Sequence, residues 1–338
     1  MASKMHNNRD KDIGRDTNKG MDKIDQNLLT ALDQNPRIAL SKLAKRLRVS
    51  QQVLDYRLRR MIKEGKITKL AAIVNLKALG LEHYRIFFSF HSKKNYSASD
   101  VFSYLKSRKG IYWAAKVGGR YDLVVVLFVK DFEGFDKFID EFNATFPGLI
   151  KDHKACYVTE HRIYRHKYFC EDKICPAISY GYNEEIANID ELDKYILDKL
   201  KDNCRISALE LSSGMPKKSK VSYKTVINRI KALEKNKVIL GYRPYIKSEK
   251  EKPYIVLLSF KDYSRESEKS LTSYLGSRKE ITQLARLFGV WNLFIHVRIE
   301  DNEKLQQLIV ELRDKFDIID DYEIIPVFED IAINLMPC

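Results

Sequence analysis

The chain has 338 residues, 44% of them hydrophobic, and a formal net charge of +14. That is enough chain for two or more domains with proper cores, and the charge favours an anionic partner. No apolar run reaches the length of a membrane span, the five cysteines make no dense framework, and the first twenty residues lack the apolar core of a secretory signal, so a reducing, cytoplasmic setting and no membrane partner are expected.

The charge is not spread evenly. Residues 22–75 hold 12 Lys and Arg against 5 Asp and Glu, and residues 190–246 hold 13 against 7. These two stretches carry nearly all of the excess.

Residues 1–21 read as a disordered arm. Asp22 caps a helix through Ile24, Leu28, Leu29 and Leu32, which Asn35-Pro36 ends. Leu40, Leu43, Ala44 and Leu47 share one face of a short helix. Arg48-Val49 makes a tight turn, and Ser50 is a good N-cap for a second helix with Leu54, Leu58, Met61 and Ile62 inward, stopping at Gly65. Two helices so joined form a helix-turn-helix, whose second helix can enter the major groove. A β-rich wing or linking strand follows over residues 67–74.

The next block changes character. Strands are expected over residues 84–90, 111–117, 121–129 and 149–158. Helices are expected over residues 98–106 and 132–146. The order βαββαβ is the ferredoxin-like split. Its helices cover one face of the sheet, and a second such sheet is the simplest cover for the other.

The whole pattern then repeats 168 to 172 residues later. Asn35-Pro36-Arg37-Ile38 matches Asn203-Cys204-Arg205-Ile206, Ser50…Arg57-Leu58 matches Ser222…Arg229-Ile230, and Gly119-Arg120-Tyr121-Asp122 matches Gly289-Val290-Trp291-Asn292. The expected segments are an arm (1–21), a winged helix-turn-helix (22–75), a ferredoxin-like domain (76–168), a linker (169–189), a second winged helix-turn-helix (190–246) and a second ferredoxin-like domain (247–338). The second helix-turn-helix has a turn four residues longer, with Lys217, Lys218 and Lys220. Either this reader has degenerated, or the lysines grip phosphate.

This combination resembles the Lrp/AsnC, or feast/famine, transcription regulators. The resemblance covers most of residues 22–168 and again 190–335. It implies an α+β fold, a winged helix-turn-helix followed by a ferredoxin-like βαββαβ (RAM-type) domain, present twice in tandem. It also implies a sequence-specific regulator that binds double-stranded DNA and answers to an amino acid or related metabolite, with no enzymatic activity. The two halves would form an intramolecular pseudo-dimer, or pair across chains as a homo-oligomer.

In the first reader Ser50, Gln51, Gln52, Tyr56 and Arg59 suit the groove, Gln gripping adenine and Arg guanine. Arg57 and Arg60 suit DNA backbone or buried ion pairs. The matching residues of the second reader are Ser222, Tyr223, Lys224, Asn228, Arg229 and Lys231, on a helix that serves DNA or only packing. In the family the Gly-x-aromatic-Asp/Asn turn lies near the effector pocket, which points to Gly119, Tyr121, Asp122, Gly289, Trp291 and Asn292. The competing reading is a hairpin whose glycine supplies a positive φ. His161, His166, Cys170 and Cys175 lack a tight zinc knuckle, so no metal is expected, and no cofactor.

Two other functions fit the pattern. Siroheme decarboxylases resemble Lrp/AsnC proteins and also occur as fused or paired halves. They bring a histidine- and arginine-bearing strand, yet residues 111–118 and 281–288 hold no histidine. The other alternative is an architectural protein that binds DNA without sequence preference.

Overall fold

The computed structural model describes residues 21–92, 96–166, 177–181, 184–216, 220–247 and 250–337. Residues 1–20 of the expected arm (1–21), Cys170, Cys175, Lys217 and Lys218 lie outside them.

The first reader is α1 (Lys23–Gln34), α2 (Leu40–Leu47) and α3 (Gln51–Lys63). Asp22 caps α1, Ser50 caps α3, and Arg48 takes the left-handed turn at φ 54° that redirects the chain between α2 and α3. Leu28, Leu32, Leu43, Leu54 and Met61 make its core.

The strand β1 (Ile67–Val74) leads into the first sheet, β2 (Glu82–Phe90), α4 (Ala98–Ser107), β3 (Ile111–Val117), β4 (Leu123–Val129), α5 (Phe132–Thr145) and β5 (Ile150–Ile163). β6 (Ile178–Tyr180) pairs with the end of β5. The expected linker thus contributes a strand, and β5 runs five residues past its expected end. The second reader is α6 (Glu191–Leu200), α7 (Ala208–Ser213) and α8 (Tyr223–Lys235), followed by β7 (Ile239–Ile246). The second sheet is β8 (Lys252–Phe260), α9 (Arg265–Ser277), β9 (Ile281–Gly289), β10 (Leu293–Ile299), α10 (Asn302–Lys315) and β11 (Ile319–Ile333). The fold is α+β, a winged helix-turn-helix plus a ferredoxin-like unit, twice.

The sheets join by their edges rather than only stacking. Strand order runs β2-β4-β3-β11-β8-β10-β9-β5, and β5 pairs again with β2. Eight strands therefore close on themselves. β3 pairs with β11 and β5 with β9, so each half supplies an edge to the other and none of the eight is left open. Inside lie Phe87, Val124, Tyr121, Cys156, Leu257, Ile325, Trp291 and Phe294. Outside, α4 and α5 cover one half through Leu105, Phe138 and Phe142, and α9 and α10 cover the other through Leu271, Leu275, Leu308 and Leu312.

β1 and β7 are equivalent strands of the two halves and pair antiparallel, with Ala71 opposite Arg243. This two-stranded wing sheet ties the readers together. Arg205 adds to the tie by donating to the carbonyls of Pro36 and Ile38 at 2.5 and 3.0 Å. The halves are thus an intramolecular pair.

Candidate nucleic-acid interface and a buried cationic cavity

On α3, Gln51, Gln52, Tyr56 and Arg59 are exposed, while Leu54 and Leu58 are buried beneath them. Tyr56 is 67% exposed, unusual for a large aromatic ring. The Ser50 hydroxyl accepts from the Val53 N–H at 3.3 Å, and its own proton remains available to a phosphate. Arg59 meets Asp55 at 2.9 Å in an exposed pair that a phosphate or guanine can replace.

Arg57 and Arg60 differ from this. Arg57 donates to Asp22 at 2.7 Å and to Asp25 at 2.9 Å, and Arg60 donates to Asp25 at 2.6 Å. Asp25 is 2% exposed, so these arginines neutralise a buried carboxylate and lock α3 to α1. The second reader repeats the device: Arg229 reaches Asp193 at 3.2 Å and also bonds Asp190. These ion pairs are the second of the two roles weighed for Arg57 and Arg60, and Arg229, its side chain 40% exposed, is paired in the same way. Tyr223, Lys224, Asn228 and Lys231 are exposed on α8, and the Ser222 hydroxyl caps that helix through the Thr225 N–H at 3.1 Å.

The Gly-x-aromatic turns hold the barrel's end. Tyr121 and Trp291 are buried in its interior. The Asp122 carboxylate accepts from the Phe90 N–H at 2.7 Å and the Asn292 side chain accepts from the Phe260 N–H at 2.8 Å. Gly119 sits at φ 85° and Gly289 at φ 148°. The hairpin reading of these turns, with a glycine at positive φ, accounts for Gly119 and Gly289, while Tyr121, Trp291, Asp122 and Asn292 pack or brace the strands.

The other end of the barrel holds what the sequence reading missed. His83 and Arg85 follow the same face of β2 as the inward Phe87, and His296 and Arg298 follow the same face of β10 as the inward Phe294. With His161, Gln283, Tyr112 and Trp113 they line a chamber of about 120 Å³, to which β7 adds Arg243 and Tyr245. A more open cleft of about 590 Å³ shares Arg243, Tyr245, Gln283, His296 and Arg298 with it. The signal was present in sequence as two His-x-Arg pairs, at 83–85 and 296–298, on otherwise apolar strands.

The histidines here are neutral. Burial and the charge of Arg85 hold His83 and His161 well below the usual range, and burial with Arg298, Arg243 and Arg85 pushes His296 down to about 3. Burial lowers Arg85 itself to about 10. The Arg85 guanidinium lies 3.6 Å from the centroid of the Phe294 ring. Among the described residues no group of three or more His, Cys, Asp and Glu is placed to hold a metal. Of the four residues weighed for zinc, His161 belongs to this chamber and His166 bonds Asp33 at 2.8 Å.

A family model for winged helix-turn-helix DNA-binding domains matches residues 21–68. The first reader is a winged helix-turn-helix DNA-binding domain. The chain is 29% identical over 121 residues to the HTH-type transcriptional regulator Ptr1 of Methanocaldococcus jannaschii, covering 36% of this chain and 80% of that protein. It is 25% identical over 142 residues to the HTH-type transcriptional regulator FL11 of Pyrococcus abyssi, covering 42% and 92%. In its motifs, element order and winged domain the chain resembles the Lrp/AsnC regulators. Its tandem fold is similar to that of the siroheme decarboxylase NirDL, with TM-score 0.63 at 13% identity over 91% of this chain and 92% of that one. That last likeness is one of fold. Among the described residues no helix is long and apolar enough to cross a membrane.

Proposed function

We propose that the protein is a sequence-specific DNA-binding transcription regulator whose two winged readers act as a pair joined by the β1–β7 sheet. The observation that supports it best is α3 itself. Its inner face anchors a core and its Arg57 and Arg60 fix its seat on α1, which leaves Gln51, Gln52, Tyr56 and Arg59 exposed at the surface. These residue types read adenine and guanine edges and grip phosphate. On α8, Tyr223, Lys224, Asn228 and Lys231 form the second contact face, with Ser50 and Ser222 at the helix starts. An amino acid or related small molecule sets the response.

The test is fluorescence anisotropy on a duplex from the gene's own upstream region against a scrambled duplex, across a salt series. Tighter binding to the native duplex that survives moderate salt supports a regulator. Equal, weak and steeply salt-dependent binding to both means an architectural protein. No binding at low salt removes the DNA reading.

The buried His and Arg side chains at the barrel mouth favour a second reading, a siroheme-decarboxylase-like enzyme. Arginines there would hold a substrate carboxylate beside the buried histidines. Incubation of the full chain with siroheme under anaerobic conditions, followed by mass spectrometry, decides it. Loss of carbon dioxide from the tetrapyrrole establishes the enzyme, and unchanged siroheme after long incubation removes it.

A further inference from the structure

We infer that the cavity between α9 and the β5–β9 seam, on the outer face of the barrel, is a binding site for a small phosphorylated molecule. The internal repeat supplies the comparison. Phe102-Ser103-Tyr104-Leu105 of α4 matches Thr272-Ser273-Tyr274-Leu275 of α9, and Ser107-Arg108-Lys109 matches Ser277-Arg278-Lys279. In the first half Val101, Phe102 and Leu105 pack α4 onto the sheet and against Ile331 of β11. The crevice left there, beside Ala98, Phe102 and Lys116, is about 80 Å³.

The second half departs from this at the corresponding positions, and the departures converge. Thr272 stands in the place of Phe102, Glu268 in that of Ala98, Lys269 in that of Ser99 and Arg286 in that of Lys116. Arg162 lies opposite Leu284 in the β5–β9 ladder, where the β11–β3 ladder has Ala332 opposite Ala114. Helix α9 also starts three residues earlier than the match with α4 requires, which adds Arg265. All six line one cavity of about 330 Å³.

Stability does not account for the exchange. It gives up packed apolar area, and a partly buried ion pair is often no more stabilising than the apolar residues it displaces. The charges are nonetheless well placed. Glu268 is 7% exposed, accepts from the Tyr263 hydroxyl at 2.6 Å and pairs with Arg286 at 2.8 Å, and Glu160 pairs with Arg162 at 2.5 Å. The carboxylates thus hold the two arginines in position, and Arg265 and Lys269 stand exposed at the rim. Four cations against two carboxylates leave an excess of two positive charges. A phosphate monoester carries about −1.5 to −2 at neutral pH, and the planar guanidinium fork matches its oxygens. The volume is at the low end of the roughly 300–1,000 Å³ of common ligand pockets, which suits a phosphate with a small organic body. Arg162 belongs to the first half and the other three cations to the second, so the bound molecule bridges the seam.

The experiment is thermal denaturation and calorimetric titration of the full, DNA-free chain with glycerol 3-phosphate, ribose 5-phosphate and AMP at matched ionic strength. Glycerol, ribose, adenosine, inorganic phosphate and sulfate are the controls. Saturable binding of at least one ester, with a rise in melting temperature that its neutral parent does not give, is expected. Thr272→Phe restores the first half's residue and fills the cavity, so it should abolish that binding while holding or raising the melting temperature of the free chain. Arg162→Ala should weaken binding roughly tenfold or more, and it keeps the test valid if Thr272→Phe does not fold. Lys224→Ala, on the reading helix α8, should leave the affinity unchanged. The inference is overturned by no saturable binding of any ester, by binding of a parent, inorganic phosphate or sulfate as tight as that of the esters, by unchanged affinity in Arg162→Ala, or by loss of binding in Lys224→Ala. DNA plays no part in the readout, so this result and the anisotropy result stand apart.

Discussion

Arg57 and Arg59 sit two positions apart on α3 and have opposite duties. Arg57 is mostly buried and holds Asp22 and Asp25, whereas the Arg59 side chain is 78% exposed. Arg57→Ala leaves Asp25 with Arg60 alone, and a buried carboxylate short of one partner should lower stability by about 1–3 kcal/mol. Arg59→Ala should leave the melting temperature unchanged and weaken specific DNA binding by roughly tenfold or more. Thermal melts and anisotropy on the same two variants check both halves of this contrast. The buried histidines make a separate prediction. An unfolded histidine titrates near about 6.5. His83, His161 and His296 have folded values below that, His296 at about 3. Below pH ~6.5 the unfolded chain binds protons that the fold refuses, so stability is full above that pH and is lost as pH falls. Each such histidine contributes a slope of up to about 1.4 kcal/mol per pH unit. His296→Gln should therefore flatten the decline of the urea midpoint between pH 6.5 and 5. A decline as steep as in the native chain would mean that other groups drive it.

At the scale of elements, the glycine turns test whether their role is structural. A Cβ on Gly289 would stand 3.0 Å from the Ala155 carbonyl oxygen and 3.1 Å from the Cys156 sulfur, at a φ that L-residues rarely adopt. Gly289→Ala should cost about 1–3 kcal/mol by prying β5 from β9. Gly119 has open space around it, with Ile324 O at 3.7 Å, and asparagine tolerates its φ. Gly119→Asn should cost under about 1 kcal/mol. Chemical denaturation of the two variants gives the comparison. Equal losses would remove the steric account. Legibility in the sequence follows the same division between local and distant. Helices α1, α2 and α3 were readable because apolar spacing, an N-cap and a stop lie within each segment. The extension of β5 to Ile163 was not, because its partners β9 and β6 come from distant parts of the chain. His83 and Arg85 were missed for a related reason. On an open sheet, a polar residue at every second position reads as the solvent face. Once two sheets close into a barrel, the same alternation points into a chamber.

At the scale of the whole molecule, duplication within one chain has separated two features that identical subunits keep equal. The frame is still symmetric: Ala71 faces its counterpart Arg243 across the wing sheet, and β3–β11 mirrors β5–β9. The reading faces are not. α3 offers Gln51, Gln52, Tyr56 and Arg59, which can discriminate bases. α8 offers Tyr223, Lys224, Asn228 and Lys231, of which the two lysines favour phosphate. A symmetric frame with unequal readers should select a site with one well-specified half and one loosely specified half, not a palindrome. Selection from a random duplex library should return that asymmetry. Arg59→Ala should then relax preference within the strong half only. Lys224→Ala should weaken binding to all sequences alike and reduce the salt slope by about one. Recovery of a perfect palindrome with equal information in both halves would show that the two faces read alike despite their residues.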